Sequence, residues 1–351
     1  MICIDQTLNE GLRIAMDKGN VHSMVELLSN LQVMLIDVRV TDWQKYNFPP
    51  LNMLQQTQLR GEINGTIGEV KLADKLGFRN VKITCAPHSN EGLTNQVTAT
   101  LNTAQRLEMN IALCIENAST FSIEELEGLW RDVSAMGVTT FIYSDVNSLL
   151  NPLSVYRILT AVTLRIPVTI EFHGHNAYGL ATANALGAMK AGVQRIATAV
   201  AGVGLQGHAA MEELIMIQKR LLGEKTVATE GLSRSCAILL GLIRVELPKT
   251  KAIIGQDIFA HESGIHVDGV LKNPQLYEAF TPEEVGLERK LIIGKHSGTA
   301  SIQAKFRQWN VVLSAPEAQG LLKQVRHLAV TQKQSVEDDI LWKLYQSKGI
   351  Q

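Results

Sequence analysis

The 351-residue chain has little of what would place it outside the ordinary globular class. Its four cysteines, Cys3, Cys85, Cys114 and Cys236, stand far apart with no CxxC pair. That excludes a disulfide-stapled scaffold or a compact cysteine zinc site and fits a reducing compartment. Long hydrophobic runs are missing: the longest, around Ala237 to Ile243, falls well short of the ~18 residues that span a bilayer. The opening MICIDQTLNEGL has no basic stretch leading into an apolar core, so no membrane attachment and a cytoplasmic location are expected. Charge of one sign is also absent. Thirty-three basic against thirty-four acidic side chains give a net charge of -1, which provides no global field for nucleic acid or an anionic membrane. Charged residues make up 19% against 46% hydrophobic, a composition that excludes a disordered or coiled-coil chain.

What the chain does have is alternation. Short β-branched or apolar runs recur at Ile2 to Thr7, Val33 to Val40, Thr57 to Ile63, Asn80 to Cys85, Asn110 to Glu116, Thr139 to Asp145, Val168 to His173 and Arg195 to Val200. Helical patterns separate them, such as Ser122 to Met136, where Ser122 with Glu125 predicts a capping box and Gly137 a stop. Eight strand–helix units predict a closed (β/α)8 TIM barrel, an α/β fold, over residues 1–223. Beyond it, residues 224–351 read as a smaller, mainly helical subdomain with a polar, glycine-bearing linker. No internal repeat or low-complexity tract is visible.

Several strand ends carry polar residues: Asp5, Arg39, Arg60, Glu116, Asp145, His173 and His175. In a barrel these ends converge on the face where active sites are built. Alternation puts His173 and His175 on one side of their strand, so both imidazoles can reach one ion. Glu10, just past the first strand, and His208, beyond the eighth, are candidates to complete a divalent metal site, and open positions on such an ion would polarise a keto acid. Glu10 reads equally as a solvated loop residue and His208 as a first-turn helix residue.

Two further motifs bear on function. Gly202 to Gly207 match GxGxxG between a strand and a helix, but they follow seven strand–helix units instead of opening the first. They are read as the last strand–helix loop of the barrel. His261-Glu262-Ser263-Gly264-Ile265-His266, with Tyr277 beyond, is not HExxH. It offers proton carriers if a loop brings it over the barrel, or else a polar connection that holds the second domain together.

HGHNAYGLATANAL at His173, FAHESGIHVDGVLKNPQLYE at Phe259 and LIIGKHSG at Leu291 resemble segments of the 2-isopropylmalate synthase and homocitrate synthase family, most nearly the shorter homocitrate synthases of nitrogen-fixing bacteria. The resemblance implies a metal-dependent barrel and condensation of acetyl-CoA with a 2-keto acid, 2-oxoglutarate foremost. The ion implied is divalent: magnesium, manganese or zinc. A homodimer is also implied, with the post-barrel segment closing over the partner's site. It makes His173 and His175 metal ligands, Glu116 a catalytic glutamate, Arg60 the strand-three arginine, and His266 and Tyr277 lid residues that assist proton transfer.

The same resemblance exposes departures. Where the family begins DTTLRDGEQ, this chain has Asn9 for the arginine that polarises the keto group, Glu10 for the aspartate ligand and Leu12 for an acid. The loop before His208 is one residue shorter, Val146 replaces a threonine and Thr120 an arginine. Asparagine cannot supply the charge of arginine, and Arg13 and Arg39 are the candidates to supply a displaced one. Without one, the reading becomes a catalytically impaired partner or regulatory subunit, or a retuned lyase or aldolase.

Overall fold

The computed structural model describes residues 2–31, 33–51, 58–87, 92–224, 228–262, 269 and 273–347. Eight parallel strands close into a ring: β1 (Ile2–Asp5), β2 (Leu35–Arg39), β3 (Leu59–Ile63), β4 (Asn80–Cys85), β5 (Asn110–Ile115), β6 (Val138–Asp145), β7 (Thr169–Gly174) and β8 (Arg195–Ala199). Closure is direct, with Ile2 opposite Arg195 and Asp5 opposite Thr198. A two-residue strand, Ala209–Ala210, adds to β8. The expected TIM barrel is therefore present.

Helices α1 (Thr7–Arg13), α2 (Val21–Asn30), α3 (Val40–Lys45), α4 (Ile67–Lys75), α5 (Asn95–Arg106), α6 (Ile123–Val133), α7 (Pro152–Arg165), α8 (Ala181–Lys190) and α9 (Met211–Arg220) return the chain between strands. Four of these starts are chemically marked by a capping side chain. Ser122 caps α6 through the predicted box with Glu125, and Asn151 caps α7 with Pro152 in its first turn. Each such side chain satisfies an amide that the helix leaves unpaired.

The strands alternate, and their polar face is unusual in lying inside. In β2, Ile36 and Val38 are fully buried, with Asp37 between them; in β4, Val81 and Ile83 flank Lys82; in β7, Ile170 and Phe172 flank Glu171. The aliphatic residues of this pattern form the core between sheet and helices, and the charged ones fall on the opposite, inner face. A small apolar cluster of Ala112, Cys114 and Ile142 is separate from that core.

The chain divides into two compact units, residues 1–228 with 235–247 and residues 229–234 with 248–351. The division falls within α10 (Leu232–Leu242). Among the described residues, the last part of the second unit holds the α-helices Thr299–Gln308, Ala315–Gln332 and Asp338–Gln346. They bury Phe306, Leu321, Val325 and Leu341 completely, and the Phe306 ring stacks on Trp342 and meets Trp309 edge-on. No helix among the described residues is long and apolar enough to cross a membrane.

Candidate active site

The first strand delivers its chemistry through a helix that starts two residues after it ends. Asp5 accepts hydrogen bonds from the Thr7 hydroxyl at 2.6 Å and the Leu8 amide at 3.1 Å, which anchors the start of α1. Its burial pushes its pKa up to about 6, against those bonds. α1 carries Asn9, Glu10 and Arg13. The Arg13 guanidinium donates two bonds to Glu10, at 2.7 and 2.5 Å. Burial opposes ionisation of Glu10, but the neighbouring His208 and the bonded Arg13 outweigh it and hold its pKa at about 2.

Three imidazoles gather at the C-terminal end of the barrel. Ring centres are 5.0 Å apart for His173 and His175, 5.3 Å for His173 and His208, and 5.1 Å for His175 and His208. His208 arrives through the loop after β8. Its amide donates to the Gly202 carbonyl at 3.1 Å, the Asn176 amide donates to that of Gln206 at 3.0 Å, and His175 bridges His208 as an isolated antiparallel pair. Gly204, at φ +138°, permits this approach: a Cβ there would stand 2.8 Å from the His208 ring and 3.4 Å from the Glu10 carboxyl carbon. The GxGxxG glycines are thus the last barrel loop, packed on His208 and Glu10.

Burial, together with the nearby Lys82 charge, lowers the pKa of His173 far below its ordinary value. Burial and the neighbouring His208 lower that of His175 to about 4. Both rings are therefore neutral at neutral pH, the form that ligates metal. Nε2 of His173 and Nδ1 of His175 and His208 are buried without a hydrogen-bond partner. Idle, buried imidazole nitrogens beside a carboxylate suit a divalent ion. As the side chains stand, no three His, Cys, Asp or Glu groups among the described residues converge on one point. Glu10 is held by Arg13, and its nearer oxygen lies 3.6 Å from His208 Nε2.

These groups line a cavity of about 130 Å³, joined by Gln6, Asn9, Arg39, Glu62, Lys82 and Glu116. Three carboxylates, Glu10, Glu62 and Glu116, face two cations, Arg39 and Lys82, so the wall carries a net negative charge that favours a bound cation. Glu116 and Thr84 also line a neighbouring cavity of about 280 Å³. Asn9 bridges two strands: its amide donates to Glu62 at 2.8 Å, and its oxygen accepts from the Arg39 amide at 3.2 Å.

Arg60, expected at the substrate, is already committed. It is 1% exposed and is not part of the cavity wall. It donates to Asp37 at 2.6 and 3.0 Å and to Glu171 at 2.8 and 2.7 Å. Burial works against ionisation of Asp37, but the Arg60 and Lys82 charges prevail and hold its pKa at about 2. Arg13 pairs with Glu10 and does not line the cavity, whereas Arg39 does. Tyr277 belongs to the second unit and is 44% exposed; His266 lies outside the described residues.

Sequence reasoning missed Asp37, Glu62, Lys82 and Glu171. The available signal was a charged residue at alternate positions of an otherwise apolar strand, as in LRGEI and NVKITC.

Residues 2–236 match the HMGL-like family model, and residues 253–333 the model described as homocitrate synthase post-HMGL domain-like. The chain is 38% identical to "2-isopropylmalate synthase 2" of Caldanaerobacter subterraneus, over 74% of this chain and 68% of that protein. It is 39% identical to "Homocitrate synthase 1" of a Nostoc species, over 59% of this chain and 56% of that protein. Among solved structures, the carboxyl transferase domain of Rhizobium etli pyruvate carboxylase superposes with a TM-score of 0.58 at 13% identity, covering 95% of this chain and 61% of that one. The N-terminal domain of a putative aldolase from Bacteroides vulgatus gives 0.56 at 15%, covering 70% and 86%. At these identities the structural matches speak for the fold alone. With a family match along the whole barrel and a second over the region that follows it, the chain belongs to the HMGL-like family, in the form that carries a homocitrate synthase post-HMGL domain.

Proposed function

We propose that the protein is an acyltransferase that condenses the acetyl group of acetyl-CoA with a 2-keto acid, 2-oxoglutarate being the first to test. The observation that carries the reading is the trio of imidazoles with idle nitrogens beside Glu10, His173 and His175 among them held neutral by burial. The names of the relatives support the reaction class. In this reaction the acetyl methyl carbon loses a proton and bonds to the keto carbon. Water then cleaves the thioester and releases the CoA thiol.

His173, His175, His208 and Glu10 are the residues to hold a divalent ion, and when bound it would supply Lewis-acid polarisation of the keto acid. Glu10 would have to exchange its contact with Arg13 for the ion. Glu116 would take the methyl proton as general base, a role its presence on the wall of both cavities supports. Arg39 and Lys82 bring positive charge to a site where negative charge develops. A homodimer in the cytoplasm belongs to the same reading, and light scattering at micromolar concentration tests the dimer.

The partner-subunit alternative rests on the departures from the family pattern, Asn9 and Leu12 foremost, with Thr120, Val146 and the shortened loop before His208. Asn9 and Leu12 both have places in this structure: Asn9 bridges Glu62 and the Arg39 backbone, and Leu12 is 2% exposed in the core. Neither observation favours that alternative. The test is free-thiol release from acetyl-CoA with a panel of 2-keto acids, with and without magnesium, manganese or zinc. Metal-dependent release with at least one acid is expected. Absence of release with every acid and ion overturns the reading.

A further inference from the structure

The registers of β2, β3 and β4 set Arg39 opposite Glu62 and Glu62 opposite Lys82. One rung of the sheet therefore reads cation, anion, cation, and all three residues line the cavity. The middle member is tied down by the Asn9 amide at 2.8 Å. The outer two are not.

Lys82 is 3% exposed, yet its closest carboxylate oxygens, on Asp37 and Glu62, are 3.4 and 3.6 Å away. A charge-assisted hydrogen bond normally runs about 2.7–2.9 Å. Asp37 Oδ2 already receives shorter bonds from Gln6 at 2.8 Å and Arg60 at 3.0 Å. The ammonium is thus neutralised by charge but poorly supplied with close acceptors, although it has three N–H groups and burial makes unused donors costly. Arg39 uses its backbone amide on Asn9, while its guanidinium makes no hydrogen bond or ion pair among the described residues. Two cations that flank a fixed anion, each with donors to spare and each on the cavity wall, define a place for a ligand carboxylate.

We propose that Lys82 and Arg39 are the pair that binds the carboxylate of the 2-keto acid, with Lys82, at the buried end of the rung, the stronger determinant of affinity. The assignment rests on the condensation reading above. A buried lysine facing a keto acid could instead form an imine, which requires a neutral amine. Burial disfavours the charged form of Lys82, but Glu62 and Asp37 outweigh it and raise its pKa above the ordinary lysine value. Lys82 therefore acts as a fixed charge and not as a nucleophile.

The test is calorimetric binding of 2-oxoglutarate, in the presence of magnesium, to the full chain. Lys82→Met should weaken binding by at least about thirtyfold, the scale for losing one partner of a buried hydrogen-bonded charge pair. Arg39→Gln should weaken it less, because Arg39 is only half-buried. Since Lys82→Met leaves Asp37 and Glu62 less compensated, Lys82→Met with Glu62→Gln restores the balance of charge and should lose affinity to the same degree. Unaltered affinity in either folded variant overturns the proposal. Borohydride added with 2-oxoglutarate should leave the intact mass unchanged; an adduct on Lys82 overturns it equally. The thiol-release assay separates the two readings. If the unchanged protein turns over and Lys82→Met keeps the same KM for the keto acid, the pair assignment alone fails. If the unchanged protein neither releases thiol nor binds 2-oxoglutarate, both fail.

Discussion

The barrel interior and the interior of the helical unit are two opposite solutions to burial in one chain. The barrel encloses Asp37, Arg60, Lys82 and Glu171, none more than 3% exposed. The helical unit encloses Ile302, Phe306, Leu321 and Val325, all fully buried. Apolar burial stabilises in proportion to area and tolerates approximate shapes. Buried charge is stabilising only as a complete set, because each ion must recover the hydration it lost. The four short bonds of Arg60 to two carboxylates achieve that. Such an interior is a preorganised electrostatic platform, with His173 and Lys82 on the wall of the cavity.

This contrast is sharpest in its response to substitution. Arg60→Met should cost the barrel about 3–5 kcal/mol, because two carboxylates lose their shared partner. Adding Asp37→Asn and Glu171→Gln should restore much of it. Hydrogen exchange resolved by unit would detect both effects, and a single variant as stable as the parent would break the comparison. In the helical unit, Leu321→Ala should cost about 3 kcal/mol through an unfilled cavity. That loss should not change between pH 7 and pH 3, since no charge is involved.

Acid distinguishes the units more gently. The folded-state pKa of Asp37, lowered from 3.8 to about 2, lies below its unfolded value, so its contribution is present above about pH 4 and is lost as pH falls through about 2. The scale is about 2 kcal/mol. Unit-resolved exchange between pH 5 and pH 2 should show the barrel loosening first, and Asp37→Asn should flatten that dependence. The smallest effect expected is at a helix cap. Ser314→Ala removes a box in which Glu317 accepts from the Ser314 amide at 2.7 Å and its hydroxyl at 2.5 Å. It should cost about 1 kcal/mol, confined to the helix Ala315–Gln332 and visible as faster exchange in its first turn.

Residues whose signal is local were read from the sequence with little loss. His173 and His175 lie two apart at a strand end, and the Ser122 box spans only four residues. Arg60 marks where such reading stops. A polar residue in a strand-end segment looks like a ligand for substrate, and only its partners, 23 and 111 residues away, reveal that its donors are engaged. Lys82 errs in the opposite direction: in NVKITC it sits inside a strand and attracts no attention, yet it lines the cavity.

The sequence by itself determined the alternation of strands and helices, the two same-side histidines, the capped helix starts and the family resemblance, because each is carried by neighbours in the chain. Tertiary structure alone decided which side chains share a rung, that Arg39, Glu62 and Lys82 stand together, and that His208 reaches His175 through a loop whose Gly204 has no room for a Cβ. Side chains alternate between the two faces of a strand, so a slip of one residue in any register would exchange the charged and aliphatic faces. That register is settled only when β1 meets β8 and the ring closes.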